Sequence, residues 1–181
     1  MKRSFGCLVC FMVLLTSSTT MAQTRQNGPI ISEFGPVFAV DSIDFKTDTT
    51  TTFKVVFDIM NSPDDPGKLN KSIETAARFL NMHAQNGIPK AQMQVALVVH
   101  NLASKDILTD AAYSDRYQQN NPNSKLIKSL LEANVEVILC GQSSVSRKLP
   151  KPEHISGVQL ALSAMTALIQ LQNQGYTLIK F

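Results

Sequence analysis

Three side chains with chemical capacity stand at the ends of apolar runs: Asp58 after Phe53–Phe57, His100 after Met93–Val99, and Cys140 after Val135–Leu139. A cysteine attacks only as its thiolate, and an ordinary pKa of about 8.5 keeps it mostly protonated near neutrality. Cys140 leads into Gly141-Gln142-Ser143-Ser144-Val145-Ser146-Arg147. If that run opens a helix, its free N–H groups face the sulfur and, with Arg147 adding positive charge, favour the thiolate. A plain buried thiol is the alternative, since cysteine is among the most buried residue types. His100 is either an acid–base partner for the sulfur or a ring that satisfies a loop carbonyl. Asp58 either serves the chemistry or caps the loop behind it. His83 reads as structural, because a cation suits the C-terminal end of a helix, and His154 has no evident partner in sequence.

The elements that must position these residues follow from periodicity. Phe53–Met60 is short, β-branched and aromatic, and it stops at Asn61-Ser62-Pro63-Asp64-Asp65-Pro66-Gly67, which predicts a strand and a turn-rich loop. Leu69, Ile73, Ala76, Ala77, Leu80 and Ala84 mark one face of a helix closed by Gly87 and Pro89. Met93–Val99 and Val135–Leu139 are continuous apolar runs, as expected of strands covered on both faces. Ser104–Tyr117 reads as short helical or irregular pieces, and Asn123–Ala133 as a helix started by Asn121-Pro122-Asn123. The alternation of Val158, Leu160 and Leu162 predicts a strand. Ser163 caps a helix over Ala164–Gln174, Gly175 ends it, and Tyr176–Ile179 is a last strand. Strands alternating with helices predict an α/β fold of three layers: a mostly parallel sheet of about five strands with helices on both faces.

Ahead of that domain, Lys2-Arg3, the apolar Phe5–Leu15 and the polar lead to Thr20-Met21-Ala22 have the form of a secretory signal peptide. The apolar run is about half of the ~20 residues a membrane span needs. The expectation is therefore an exported, periplasmic chain cleaved after residue 22, with no membrane span in the mature form. Cleavage leaves 159 of the 181 residues, and the loss of Lys2 and Arg3 brings 17 basic residues to 15 against 14 acidic ones. So small a charge gives nucleic acid no electrostatic foothold. Cys7 and Cys10 leave with the signal, so Cys140 remains without a disulfide partner. Residues 23–52 read as an N-terminal arm and linker, with Gln23–Asn27 a frayed tail. The Gly/Pro-punctuated Gly28–Val40 is an extended arm packing on the body or on a neighbouring subunit. Residues 53–181 form the domain.

Several chemistries fail on spacing. There is no Cys-x-x-Cys, no Gly-x-Gly-x-x-Gly and no P-loop, and the three histidines lack zinc spacing. The run 141–146 between Cys140 and Arg147 is one residue longer than the anion cradle of rhodaneses and phosphatases. No metal and no cofactor are expected.

Residues 53–181 resemble the DsrE/DsrF-like family of sulfur-handling proteins, specifically its exported members. The likeness rests on Val55-Val56-Phe57-Asp58, Asn81-Met82-His83-Ala84, Gly87-Ile88-Pro89, Val95–His100 and Asn121-Pro122-Asn123. It rests also on Ile138-Leu139-Cys140-Gly141-Gln142, Leu160–Leu168 and Gln174–Leu178, with the strand-end Cys140-Gly141-Gln142 the most specific piece. The resemblance implies a small α/β subunit that forms homotrimers or homohexamers. It also implies that Cys140 carries sulfane sulfur as a persulfide exchanged with a donor or acceptor protein. Only Cys140 is carried over as functional; His100, Gly141, Gln142, Arg147 and Asp58 are supporting candidates. The chain departs from the pattern at Lys148, where relatives often have glycine, and in its export signal and arm. The alternative is a non-catalytic oligomeric binding or scaffold module of the cell envelope.

Overall fold

The computed structural model describes residues 24–180, so the signal-peptide reading of 1–22, with Cys7 and Cys10, lies outside the described residues. The elements run β1 (Phe53–Ile59), α1 (Lys71–Gln85), β2 (Met93–Val99), a 3-10 segment (Asn101–Ile107), α2 (Asp110–Tyr117) and α3 (Ser124–Glu132). Then come β3 (Glu136–Cys140), α4 (Gly141–Ser146), β4 (Gln159–Ala161), α5 (Ala164–Asn173) and β5 (Thr177–Ile179). All strand pairs are parallel, in the order β4-β3-β2-β1-β5. The chain steps from β1 to β4 in one direction, so right-handed crossovers put the intervening helices on one face. The return from β4 to β5 runs the other way and puts α5 on the opposite face. The packing follows: α1 and α3 lie together against β2 and β3, while α5 spans β1, β2 and β3.

Strand periodicity then sorts the side chains. Val55, Phe57 and Ile59, Val95, Leu97 and Val99, and Val137 and Leu139 enter the larger core under α1 and α3. Val56, Ala96, Val98, Ile138 and Cys140 face α5, where Ala164, Ala167, Leu171 and Tyr176 close a smaller cluster. By the same parity Asp58 and His100 fall on the α5 face with Cys140.

The caps are those the sequence supplies. Asn70 accepts from the Ser72 N–H at 2.9 Å at the start of α1, and Ser163 from the Thr166 N–H at 3.0 Å at the start of α5. The strand expected from alternation at 158–162 forms only over Gln159–Ala161, with Leu160 43% and Leu162 72% exposed. As an edge strand, β4 is paired on one side and covers little there.

The arm contains no strand, but Gln26 and Val37 form an antiparallel bridge (Gln26 N–H to Val37 O 2.9 Å, Val37 N–H to Gln26 O 3.0 Å), so Gln26 is tied down rather than frayed. The arm docks on its own α1. Fully buried Asn81 accepts from the N–H groups of Ile30 (3.2 Å) and Ile31 (2.8 Å). Its Nδ2 donates to the carbonyls of Ile31, Phe34 and Gly35 at 3.0, 2.9 and 3.1 Å. A side chain at Gly35 would put its Cβ 2.5 Å from the backbone of Ala77 and Arg78, so only glycine lets the arm lie this close. Asn81→Ala leaves these backbone groups without partners and should lower the unfolding free energy by about 3 kcal/mol. An unchanged urea midpoint, with residues 24–40 still protected from protease, would contradict the docking.

Candidate functional site

Cys140 is the last residue of β3 and the N-cap of α4. Burial pushes its thiol up, but the Ser143 N–H, the Ser143 hydroxyl and the N–H groups of Ala164 and Gln142 outweigh it, so the pKa lies below the ordinary thiol value. Sγ makes no side-chain capping hydrogen bond to α4; the amides act together as converging dipoles. Two helix starts supply them, because Gln142 and Ser143 open α4 and Ala164 opens α5.

Gly141 makes that convergence possible. A Cβ there would stand 2.5 Å from the Ala161 carbonyl oxygen and 3.1 Å from that of Leu162. With no side chain, α4 and the end of β4 come into contact, and Gln142 Nε2 ties the corner by donating to Leu162 O at 3.3 Å. The Cys-Gly-Gln triplet thus provides the sulfur, the gap and the tie that brings Ala164 alongside.

Ser143 Oγ accepts from the Asn101 N–H at 3.0 Å, which leaves its own proton for the sulfur. Asn101 sits at φ +52 directly after His100, and its Oδ1 accepts from Arg147 Nη2 at 2.6 Å. Arg147, expected to lend charge at the sulfur, instead holds Asn101 and acts through Asn101 and Ser143. The turn after it forms with Lys148 at φ +56, a left-handed conformation at about 1–2 kcal/mol for a residue with a side chain.

His100 and Asp58 come together, but with each other. His100 Nε2 lies 2.6 Å from Asp58 Oδ1, and Lys180 Nζ pairs with Asp58 Oδ2 at 2.8 Å. Burial pushes the Asp58 carboxyl up, while Lys180 and His100 hold it below the usual aspartate value. Stability from these pairs is therefore complete above the unfolded aspartate pKa of about 3.9 and is lost as pH falls through the depressed value. Asp58 caps no loop. His100 stands one place past the registered pair Val99↔Leu139, beside Cys140, yet no hydrogen bond joins it to the sulfur among the described residues. His83 Nδ1 meets Phe79 O at 2.8 Å and the buried His154 Nε2 meets Leu149 O at 2.9 Å, so both are structural. Among the described residues no group of three or more His, Cys, Asp or Glu is placed to hold a metal ion, and no helix is long and apolar enough to cross a membrane.

Access is the counterweight. Cys140 is 5% exposed, and it is absent from the lining of the clefts of about 520, 430, 400, 300 and 270 Å³.

The family model for the DsrE/DsrF-like family matches residues 54–181. The chain belongs to that family. Among solved structures it is similar to a protein of unknown function, MTH1491, from Methanobacterium thermoautotrophicum. That likeness has 15% identity and a TM-score of 0.55, over 71% of this chain and 99% of that one. It is also similar to the ychN protein of E. coli, at 20% identity and a TM-score of 0.51, over 71% and 99% of the two chains. At these identities the likeness is one of fold. No curated protein matches.

In this DsrE/DsrF-like chain the sequence singles out Cys140, Gly141 and Gln142, but not Ser143 and Ala164 beside the sulfur, Asn101 between Ser143 and Arg147, or Lys180 on Asp58. The signal available for Ala164 was Ser163 as a helix cap. Gly141→Ala should push β4 off α4, destabilise the fold by about 2 kcal/mol and withdraw the Ala164 amide. Urea unfolding together with the iodoacetamide rate in the native state measures both; wild-type stability and rate would contradict the close-approach account.

Proposed function

We propose that the chain is a sulfur carrier, and the observation that carries this reading is the thiol held below its ordinary pKa by two converging helix starts. The family is associated with sulfur relay in general. With thiosulfate as donor, the Cys140 thiolate attacks the sulfane sulfur. The Sγ–S bond forms, the donor's S–S bond breaks, and sulfite leaves with the electron pair. In the second step an acceptor thiolate attacks the outer sulfur, takes it as its own persulfide, and Cys140 leaves as thiolate. The amide N–H groups that favour the first anion also favour the leaving anion.

A sulfur that is 5% exposed must become reachable for this cycle, and we assign its opening to the corner where Gln142 Nε2 donates to Leu162 O at 3.3 Å and Leu162 is 72% exposed. The cycle includes its opening. We place the mature chain outside the cytoplasm after loss of residues 1–22, where Cys140 has no internal thiol to compete for it. We also assign it a homotrimeric or homohexameric assembly; the exposed Met165 and Ile169 on α5 support burial against further copies.

The non-catalytic oligomeric module is the second reading, and the low exposure of Cys140 is what favours it. Incubating the mature protein with thiosulfate and reading intact mass separates the two. Sulfur carriage predicts a gain of one sulfur atom that Cys140→Ser abolishes, together with iodoacetamide labelling in the native state. No gain with thiosulfate or polysulfide, and labelling only after unfolding, assigns the module.

A further inference from the structure

The loops after β1 and β2 and the ends of α2 and α4 enclose a second feature, a cleft of about 520 Å³ at the C-terminal edge of the sheet. Its volume falls within the range of small-molecule sites, and parallel sheets bind ligands at this edge. Cys140 lies under α5 and is absent from the lining; the cleft shares with the sulfur site Arg147, which reaches the sulfur only through Asn101 and Ser143.

The charges inside the cleft are paired unequally. Lys105 is held by the fully buried Asp106 at 2.8 Å, and Arg116 by Glu153 at 2.5 Å, so each of these cations is already compensated. Among the described residues the Arg147 side chain bonds only the neutral Asn101 Oδ1, and its guanidinium is the cation of the lining left without a countercharge. Asp64, on the loop after β1, has neither an ion pair nor a hydrogen bond among the described residues. Arg147 without a countercharge and Asp64 without a partner thus line the same cleft, together with apolar wall from the Tyr117 ring and Leu102, which is 46% exposed.

A simple anion would meet the Asp64 carboxylate as well as Arg147, and a polyanion would have to strip Lys105 and Arg116 of their partners. A ligand with one charge of each sign and an apolar body meets neither penalty. We propose that the cleft binds a small amino-acid-like zwitterion, with its carboxylate on Arg147, its ammonium on Asp64 and its side chain against Leu102 and Tyr117. A ligand carboxylate would give the Arg147 guanidinium an ion pair, which the neutral Asn101 oxygen does not supply.

Titration calorimetry with L-phenylalanine, L-leucine and L-methionine tests this on the intact protein. At least one should bind saturably, and its N-acetyl and carboxamide derivatives, each lacking one charge, should bind about tenfold more weakly. Asp64→Asn and Arg147→Gln should each cause a loss of the same size while the urea midpoint stays unchanged. Cys140→Ser should bind as wild type does, which keeps this site's success or failure separate from that of sulfur carriage. Absence of saturable binding by all three amino acids overturns the proposal, and so does affinity that survives removal of either ligand charge.

Discussion

The contact between Gly141 and the Ala161–Leu162 backbone governs the rest of the site. It requires that position 141 carry no side chain, since a Cβ would lie 2.5 Å from a carbonyl oxygen. From that contact follows the meeting of two helix starts at one sulfur. Burial by itself favours the neutral thiol; fixed amide donors reverse that preference because their orientation was settled when the chain folded. The same surroundings that hold the Cys140 pKa below the ordinary thiol value also bury the sulfur, so activation and access oppose each other here.

Topology explains why the polar residues gather where they do. Helices α1 and α3 press on one face of the sheet, with the arm docked on α1, while α5 covers the other. Asp58, His100 and Cys140 share the parity of that thinly covered face, at the ends of three adjacent parallel strands. On the α5 side the C-terminal Lys180 reaches Asp58, so the end of the chain is fastened to its first strand by charge as well as by the β1–β5 ladder.

Much of this was legible in the residues. The strands at 53–59 and 93–99, the α1 face and the Ser163 cap follow from period and cap chemistry, and Cys140 stands out as a thiol at a strand end. What could not be read depends on register between distant segments. Nothing local to Ala164 marks its amide as a partner of a sulfur twenty-four residues earlier in the chain. Arg147 is close to Cys140 in sequence, but the left-handed Asn101 intercepts its guanidinium. Leu160 and Leu162 alternate like a buried strand, yet β4 is an edge and leaves them to solvent. The arm's attachment turned on Asn81, an amide within a helix whose five backbone contacts come from a segment some fifty residues away.

Ultraviolet thiolate absorbance followed against pH, on the folded chain and again in denaturant, tests the central claim most directly when the protein is produced without residues 1–22, since Cys140 is then the one cysteine that can give the signal. The account predicts a folded midpoint below the ordinary thiol value of about 8.5 and a return to that value on unfolding. A folded midpoint at or above the unfolded one would mean that burial prevails over the amide dipoles, and the account of a sulfur primed by two helix starts would be wrong.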